Sequence, residues 1–210
     1  MSNEDTREYF NTVATQWDEM RQQFFGEGVR VAAIRAAEIS PGAIVADVGT
    51  GTGFLSEKAL AVGARVIGID SSEEMLAETR RKFAGRSFEA RAGDVDSLPL
   101  ETGEVDAALA NMVLHHAPNP PNAIREMART LKPGGKLVIT DADTHEHEWL
   151  RTDQLDRWLG FERADIARWF EDAGLIDVAV GDTNEICSPT AKCGERAAIT
   201  IFIASGRKAG

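Results

Sequence analysis

The chain has 210 residues, 43% hydrophobic and 27% charged, the proportions of an ordinary globular protein and not of a disordered, fibrous or repeat-built one. A folded chain of this length buries roughly 70% of the surface its unfolded form exposes, so it needs neither disulfides nor a metal to hold a core. Asp plus Glu is 34 and Lys plus Arg is 23, a formal charge of -11, which is the wrong sign for a protein that grips nucleic-acid phosphates or an anionic membrane surface.

The N-terminal segment MSNEDTREYF has no basic region followed by an apolar run, so no signal peptide is visible. The longest apolar stretch, near Ala197 to Ala204, is too short to span a bilayer, and the expected location is the cytoplasm. No repeat or low-complexity tract divides the chain. It reads as one domain over 1–210, with N-terminal helices in 1–42, an α/β core in 43–142, and further helices and the final strands in 143–210.

Asn3 or Asp5 can cap a first helix carrying Tyr9, Val13 and Trp17, and Val29, Ile34, Ala37 and Ile39 carry a second apolar stripe up to Ser40-Pro41-Gly42. From Ala43, short runs rich in Val and Ile alternate with helical stretches. In order they are AIVADV, a helix from about Phe54, RVIGID, a helix from Ser72, SFEARA, VDAALAN, a helix through Ile124 to Leu131, and KLVITD. That alternation specifies a doubly wound α/β fold with a mostly parallel sheet. AIVADV, RVIGID and KLVITD are apolar nearly throughout, as strands covered on both faces must be. FERADIARWFEDAGL then reads as a helix, and LIDVAVG and RAAITIFIAS as strands.

Ligands of such sheets sit outside the carboxyl ends of the strands, where the winding reverses. The first strand ends there in Asp47-Val48-Gly49-Thr50-Gly51-Thr52-Gly53 and opens into a helix. Glycines in that place permit a tight turn and let backbone amides approach an anion at the helix N-terminus; a plain tight connection is the alternative. The second strand ends in Asp70, about twenty residues after the first glycine, where a carboxylate can accept both ribose hydroxyls. Phe54 stands where a dinucleotide fingerprint wants its third glycine, which weakens a nicotinamide reading, although counting from Gly51 leaves Ser56 at the close-packing position. No Gly-Lys-Ser/Thr follows, so this is not a P-loop.

The segments VADVGTGTG, VIGIDSSEEML, AGDVDSLPL, VDAALANMVLHHAPNP and RTLKPGGKLVITD together resemble, in family order, the class I S-adenosylmethionine-dependent methyltransferases, in the branch of the quinone-biosynthesis C-methyltransferases (methyltransferase type 11). The resemblance covers roughly Tyr9 to Asp141. It implies a seven-stranded Rossmann-like sheet with an antiparallel last strand, an N-terminal helical lid, a cofactor-binding core in 43–142 and a substrate side in 143–210. It places Gly49, Thr50, Gly51 and Gly53 along the methionine moiety, after Asp47, with Asp70 on the ribose and Ser71 and Met75 near the adenine ring. Asp94 and Val95 then meet the adenine edge, Asn111 faces the sulfonium, and Tyr9 and Trp17 are candidate covers. Tyr9 and Trp17 read equally well as core aromatics of an amphipathic helix.

Methyl transfer needs alignment of two reactants and exclusion of water, and no metal is called for. His115 and His116, just after Asn111, are the candidate catalytic residues where a proton must leave the acceptor; orienting the loop is their other reading. Substrate identity falls to two insertions. Asp141 to Phe170 holds His145, His147, Trp149, Trp158 and Trp169; a metal set of Asp141, Asp143, His145 and His147 can be assembled there, but the mixed charges favour a solvated loop. Asp182 to Glu195 holds Cys187 and Cys193, which are not obviously buried and read as small apolar residues, a redox-sensitive pair or a soft site for a thiophilic substrate. The expectation is an enzyme that methylates a small-molecule acceptor, without nucleic-acid or membrane partners, as a monomer or homodimer. A thiol or arsenite-like metalloid methyltransferase using Cys187 and Cys193, a non-catalytic S-adenosylmethionine-binding module and a nicotinamide oxidoreductase are the alternatives.

Overall fold

The computed structural model describes residues 3–210. The candidate cap Asn3 opens the first helix, but its side chain lies outside the described residues, as do Met1 and Ser2. The N-terminal region forms three helices, α1 (Asn3–Val13), α2 (Trp17–Phe24) and α3 (Gly28–Ala36), where the apolar stripes predicted two. A 3-10 turn at Ala14–Gln16 separates α1 from α2, so Trp17 starts the second helix. Phe25 is extended (φ -152°, ψ 158°) and sends its ring against Phe54, 5.5 Å between centroids. That aromatic contact, followed by Gly26 and Gly28, ends α2 where a continuous stripe would have carried it on.

The alternating region supplies β1 (Ile44–Val48), α4 (Phe54–Ala61), β2 (Arg65–Asp70), α5 (Glu73–Lys82), β3 (Phe88–Ala92), β4 (Val105–Asn111), α6 (Pro120–Thr130) and β5 (Leu131–Ala142). The C-terminal third adds α7 (Leu150–Asp153), α8 (Arg163–Asp172), β6 (Leu175–Cys187) and β7 (Ile199–Lys208). The sheet order is β3-β2-β1-β4-β5-β7-β6, with β7 antiparallel to both neighbours. The predicted antiparallel last strand is therefore present. β6 runs well past LIDVAVG, to Cys187, so the first part of the Asp182–Glu195 segment is strand, with a bulge between Asp182 and Ile186, and not free loop.

Side chains alternate across the sheet with the two-residue period of a strand. In β1, Val45 packs with α3 and α4 through Val29, Ala33, Leu55 and Ala59, while Ala46 and Val48 face the other layer with Ile124, Met127, Ile166 and Phe170 of α6 and α8. The sheet is thus covered on both sides. β1 and β4 pair in parallel, yet the chain leaves β1 toward β2 on one side and β4 toward β5 on the other. The winding reverses between them, and the crevice opens over their carboxyl ends.

Candidate functional site

The turn after β1 is held from beneath by Asp47. Its buried Oδ2 accepts from Thr50 Oγ1 (2.8 Å), Ser56 N (2.9 Å) and Ser56 Oγ (2.6 Å). Burial, only partly offset by these donors, pushes Asp47 up to about 6. Asp70, at the end of β2, accepts Gly51 N–H on Oδ2 (2.8 Å) and Ser72 N–H on Oδ1 (2.9 Å). One carboxylate therefore pins the glycine turn to the start of α5, where the Ser72 hydroxyl caps Met75 N–H at 3.1 Å.

Over these elements lies a cavity of about 200 Å³. Its floor is the turn and strand ends: Gly49, Thr50, Gly51, Asp70, Ser71, Met75, Asp94, Val95 and Asn111. Its roof comes from the N-terminal helices, with Phe10, Trp17, Arg21 and Phe24. The far end is closed by His115, His116, Asp156, Trp158 and Cys187. Arg21 is buried, and its guanidinium lies 4.1 Å over the Phe54 ring. Among the described residues, two buried polar atoms on lining residues have no hydrogen-bond partner, Arg21 Nε and Asp96 Oδ1. Orphaned buried groups cost about 1–3 kcal/mol each, so they mark places where a ligand completes the structure.

At the far end, Asp141 is fully buried at the end of β5. It accepts Leu114 N–H at 2.8 Å and the N–H of Ala142 at 2.8 Å, and its Oδ1 meets His115 Nδ1 at 2.7 Å. The other nitrogen of His115 lies 3.7 Å from Asp156 Oδ1. Burial alone would lower the His115 pKa, but Asp141 and Asp156 outweigh it and hold it up to about 9. His116, half-buried beside this cation with its Nδ1 3.3 Å from the Leu155 carbonyl, is pushed well below its ordinary 6.5 by desolvation and by the His115 charge.

Residues 46–139 match the methyltransferase domain family. A demethylmenaquinone methyltransferase of Desulfitobacterium hafniense is 30% identical over an alignment that covers 95% of this chain and 88% of that protein. The chain belongs to the class I S-adenosylmethionine-dependent methyltransferases. A 37.1 kDa protein in transposon Tn4556 of Streptomyces fradiae is 40% identical over 51% of this chain, and the match spans 32% of its length. In fold, the methyltransferase is similar to the one in a complex with the Trm112 methyltransferase activator of Haloferax volcanii, with a TM-score of 0.76, 23% identity, and 96% and 98% of the two chains covered.

Its cofactor is S-adenosylmethionine, and the two orphaned atoms suit that molecule, which carries a carboxylate at one end and an adenine amino group at the other. The structure brings Asp47, Gly49, Thr50, Gly51, Asp70, Ser71, Met75, Asp94, Val95, Asn111, Trp17, His115 and His116 to one cavity. Gly53 is not on its wall. It caps α4 at φ 88° and faces the Phe83 ring. Tyr9 is also off the wall, its hydroxyl donating to Gln154 Oε1 at 3.0 Å, and Phe10 occupies the lining position.

The assembled metal set of the first insertion is dispersed. Asp141 serves His115, Asp143 takes a bidentate contact from Arg163 (2.7 and 2.6 Å), and His147 meets Glu195. His145 does line the cavity, as does Trp158. Cys187 is buried on the cavity wall, contrary to expectation, while Cys193 is exposed. Sequence reading missed Arg21, Asp141 as the partner of His115, and Asp156. The only advance signal was the placement of Asp141 at the carboxyl end of the fifth strand.

Proposed function

We propose that the chain transfers a methyl group from S-adenosylmethionine to a small, largely apolar acceptor. The observation that carries this reading is the single cavity joining the glycine turn and Asp70 to His115 and His116, under a roof of Phe10, Trp17 and Phe24. The demethylmenaquinone methyltransferase relative supports an acceptor of quinol or phenol type. When bound, the cofactor supplies an electrophilic methyl group on a sulfonium.

The chain's own residues bind and orient. The turn from Gly49 to Gly51 leaves room for the methionine moiety to lie against its backbone, and Arg21 reaches its carboxylate from the roof. Asp70, already fixed by two backbone N–H groups, has lone pairs left for the ribose hydroxyls. Ser71 and Met75 flank the adenine, with Asp94, Val95 and Asp96 at its edge. Asn111, whose Oδ1 accepts from Thr140 Oγ1 at 2.9 Å, stands near the sulfonium. Trp17 and Phe10 exclude water. His115, oriented by Asp141, and His116 engage the reacting atom of the acceptor.

Calorimetric titration of cofactor-stripped protein with S-adenosylhomocysteine, NAD and NADP tests the reading. Micromolar binding of S-adenosylhomocysteine alone is the expected result. Preference for a dinucleotide would overturn it and reassign the turn to hydride transfer.

A further inference from the structure

We propose that His115, His116 and Asp156 form a divalent transition-metal site at the acceptor end of the cavity. A ring nitrogen of each histidine and a carboxylate oxygen of Asp156 lie within 4.8 Å of one another, and all three residues line the cavity. This inference rests on the reading of that cavity as the methyl-transfer site.

The outer partners are those that ligand histidines use. His115 Nδ1 sits 2.7 Å from Asp141 Oδ1, and His116 Nδ1 sits 3.3 Å from the Leu155 carbonyl. Both contacts are to oxygens that only accept, so each ring keeps a proton on Nδ1, and a metal would take Nε2 in place of the second proton that the His115 cation carries. An imidazole whose far N–H is held by a carboxylate or backbone carbonyl is fixed in tautomer and orientation for a metal.

Charge balance points the same way. Among the described residues, the ion pairs of Asp141 and of Asp156 are both with His115, and Asp141 is 0% and Asp156 6% exposed. Two buried carboxylates share one imidazole, with the Arg151 charge also acting on Asp156 and that of Arg157 on His116, and in a low dielectric such a pair attracts further positive charge. A dication on two neutral imidazoles cancels both carboxylates.

The donor set selects the ion. Two nitrogens and one carboxylate suit zinc, iron(II) or cobalt(II) better than magnesium or calcium, and leave coordination positions open to the cavity. Ligand bonds of about 2.0–2.2 Å require the three atoms to draw in from their present separation. His115 Nε2 and Asp156 Oδ1 are already 3.7 Å apart, and Asp156 follows Leu155, a non-glycine residue at φ 61°. In the open positions the ion would hold the oxygen or sulfur of an acceptor and make it more acidic.

The test uses untagged, chelator-treated protein titrated with Co²⁺ alone, followed by visible d–d absorption and elemental analysis, then challenged with Zn²⁺ and with Mg²⁺. One equivalent of Co²⁺ should bind, be displaced by Zn²⁺ and not by Mg²⁺, and bind at least tenfold more weakly to Asp156→Asn and His116→Gln. His147→Ala should bind as the parent does. Absence of stoichiometric cobalt, or undiminished binding in both Asp156→Asn and His116→Gln, overturns the site; loss in His147→Ala with retention in His116→Gln overturns it in favour of the surface histidines. S-adenosylhomocysteine binding measured on the same samples should stay within twofold of the parent, and its absence from the parent protein would refute the methyl-transfer reading instead.

Discussion

Gly51 and Gly53 lie two residues apart in one turn, both at positive φ (51° and 88°), yet the structure assigns them different work. A Cβ at Gly53 would come within 2.3 Å of Phe83 Cε2 and 2.9 Å of Thr79 Cγ2. Phe83 is buried and packs on Phe88, so it cannot swing aside. Gly53→Ala therefore combines left-handed strain of about 1–2 kcal/mol with overpacking of about 1–3 kcal/mol. In a chain of this size each kcal/mol is worth about 2–4 °C, so the combined cost of about 2–5 kcal/mol should lower Tm by about 4–20 °C. At Gly51 the nearest atom to a new Cβ is Trp17 Nε1 at 3.5 Å, an ordinary contact across the cavity. Gly51→Ala should cost only the strain, about 2–8 °C, but place a methyl group at the cavity floor and weaken S-adenosylhomocysteine binding by about tenfold or more, about 1.4 kcal/mol. Thermal melts followed by circular dichroism, with calorimetric titration of each variant, separate the two effects. If Gly53→Ala kept the parent Tm while losing cofactor affinity as Gly51→Ala does, the division of roles would be refuted.

Asp70→Ala removes the acceptor of both Gly51 and Ser72 N–H and should weaken cofactor binding by about 1–3 kcal/mol; unchanged affinity in titration would exclude the ribose role. Arg21→Met keeps the buried stem over Phe54 but removes the charge, so S-adenosylhomocysteine affinity should fall at least tenfold while that of 5′-methylthioadenosine, which lacks the carboxylate, stays put. His116→Ala, which removes the imidazole kept neutral beside the His115 cation, should lower methyl transfer by about 100-fold or more with cofactor affinity retained, a split that single-turnover assays would read. Burial first, and then Asp156 and Asp141, push the Cys187 thiol up to about 12. At pH 8 its thiolate fraction is then about one part in ten thousand, so a thiol reagent should modify Cys193 alone, with Cys187 reacting only as pH approaches 12. Rapid modification of both at pH 8 would restore the thiolate reading.

The parts of the site that were legible in advance are those whose chemistry is local. The glycine turn and Asp70 each sit at the end of one strand, and strand ends can be read from apolar runs bounded by polar or glycine residues; Asp94 and Val95, just beyond β3, were implied only by the family resemblance. Helix faces were less legible. Tyr9 and Phe10 differ by one position, about 100° around α1, and only the packing of α1 against α5 and the His116 ring turns Phe10 into the cavity and Tyr9 toward Gln154. Gly53 belongs to the motif as written, but its neighbours Phe83 and Thr79 come from α5, and no local pattern announces that contact.

The sequence by itself determined the α/β winding and the glycine turn at the end of β1, because periodicity of two or 3.6 and the residues that break it are properties of short segments; the antiparallel last strand was implied only by the resemblance to the methyltransferase family. Tertiary structure alone decided the acceptor end. Asp141 reaches His115 across 26 residues, Asp156 comes from the insertion beyond β5, and Arg21 drops in from the N-terminal helices. Their charges and burial exist only once the sheet brings β4 and β5 side by side and the chain folds back over them, so the pairing energies that set this chemistry have no counterpart in the linear chain.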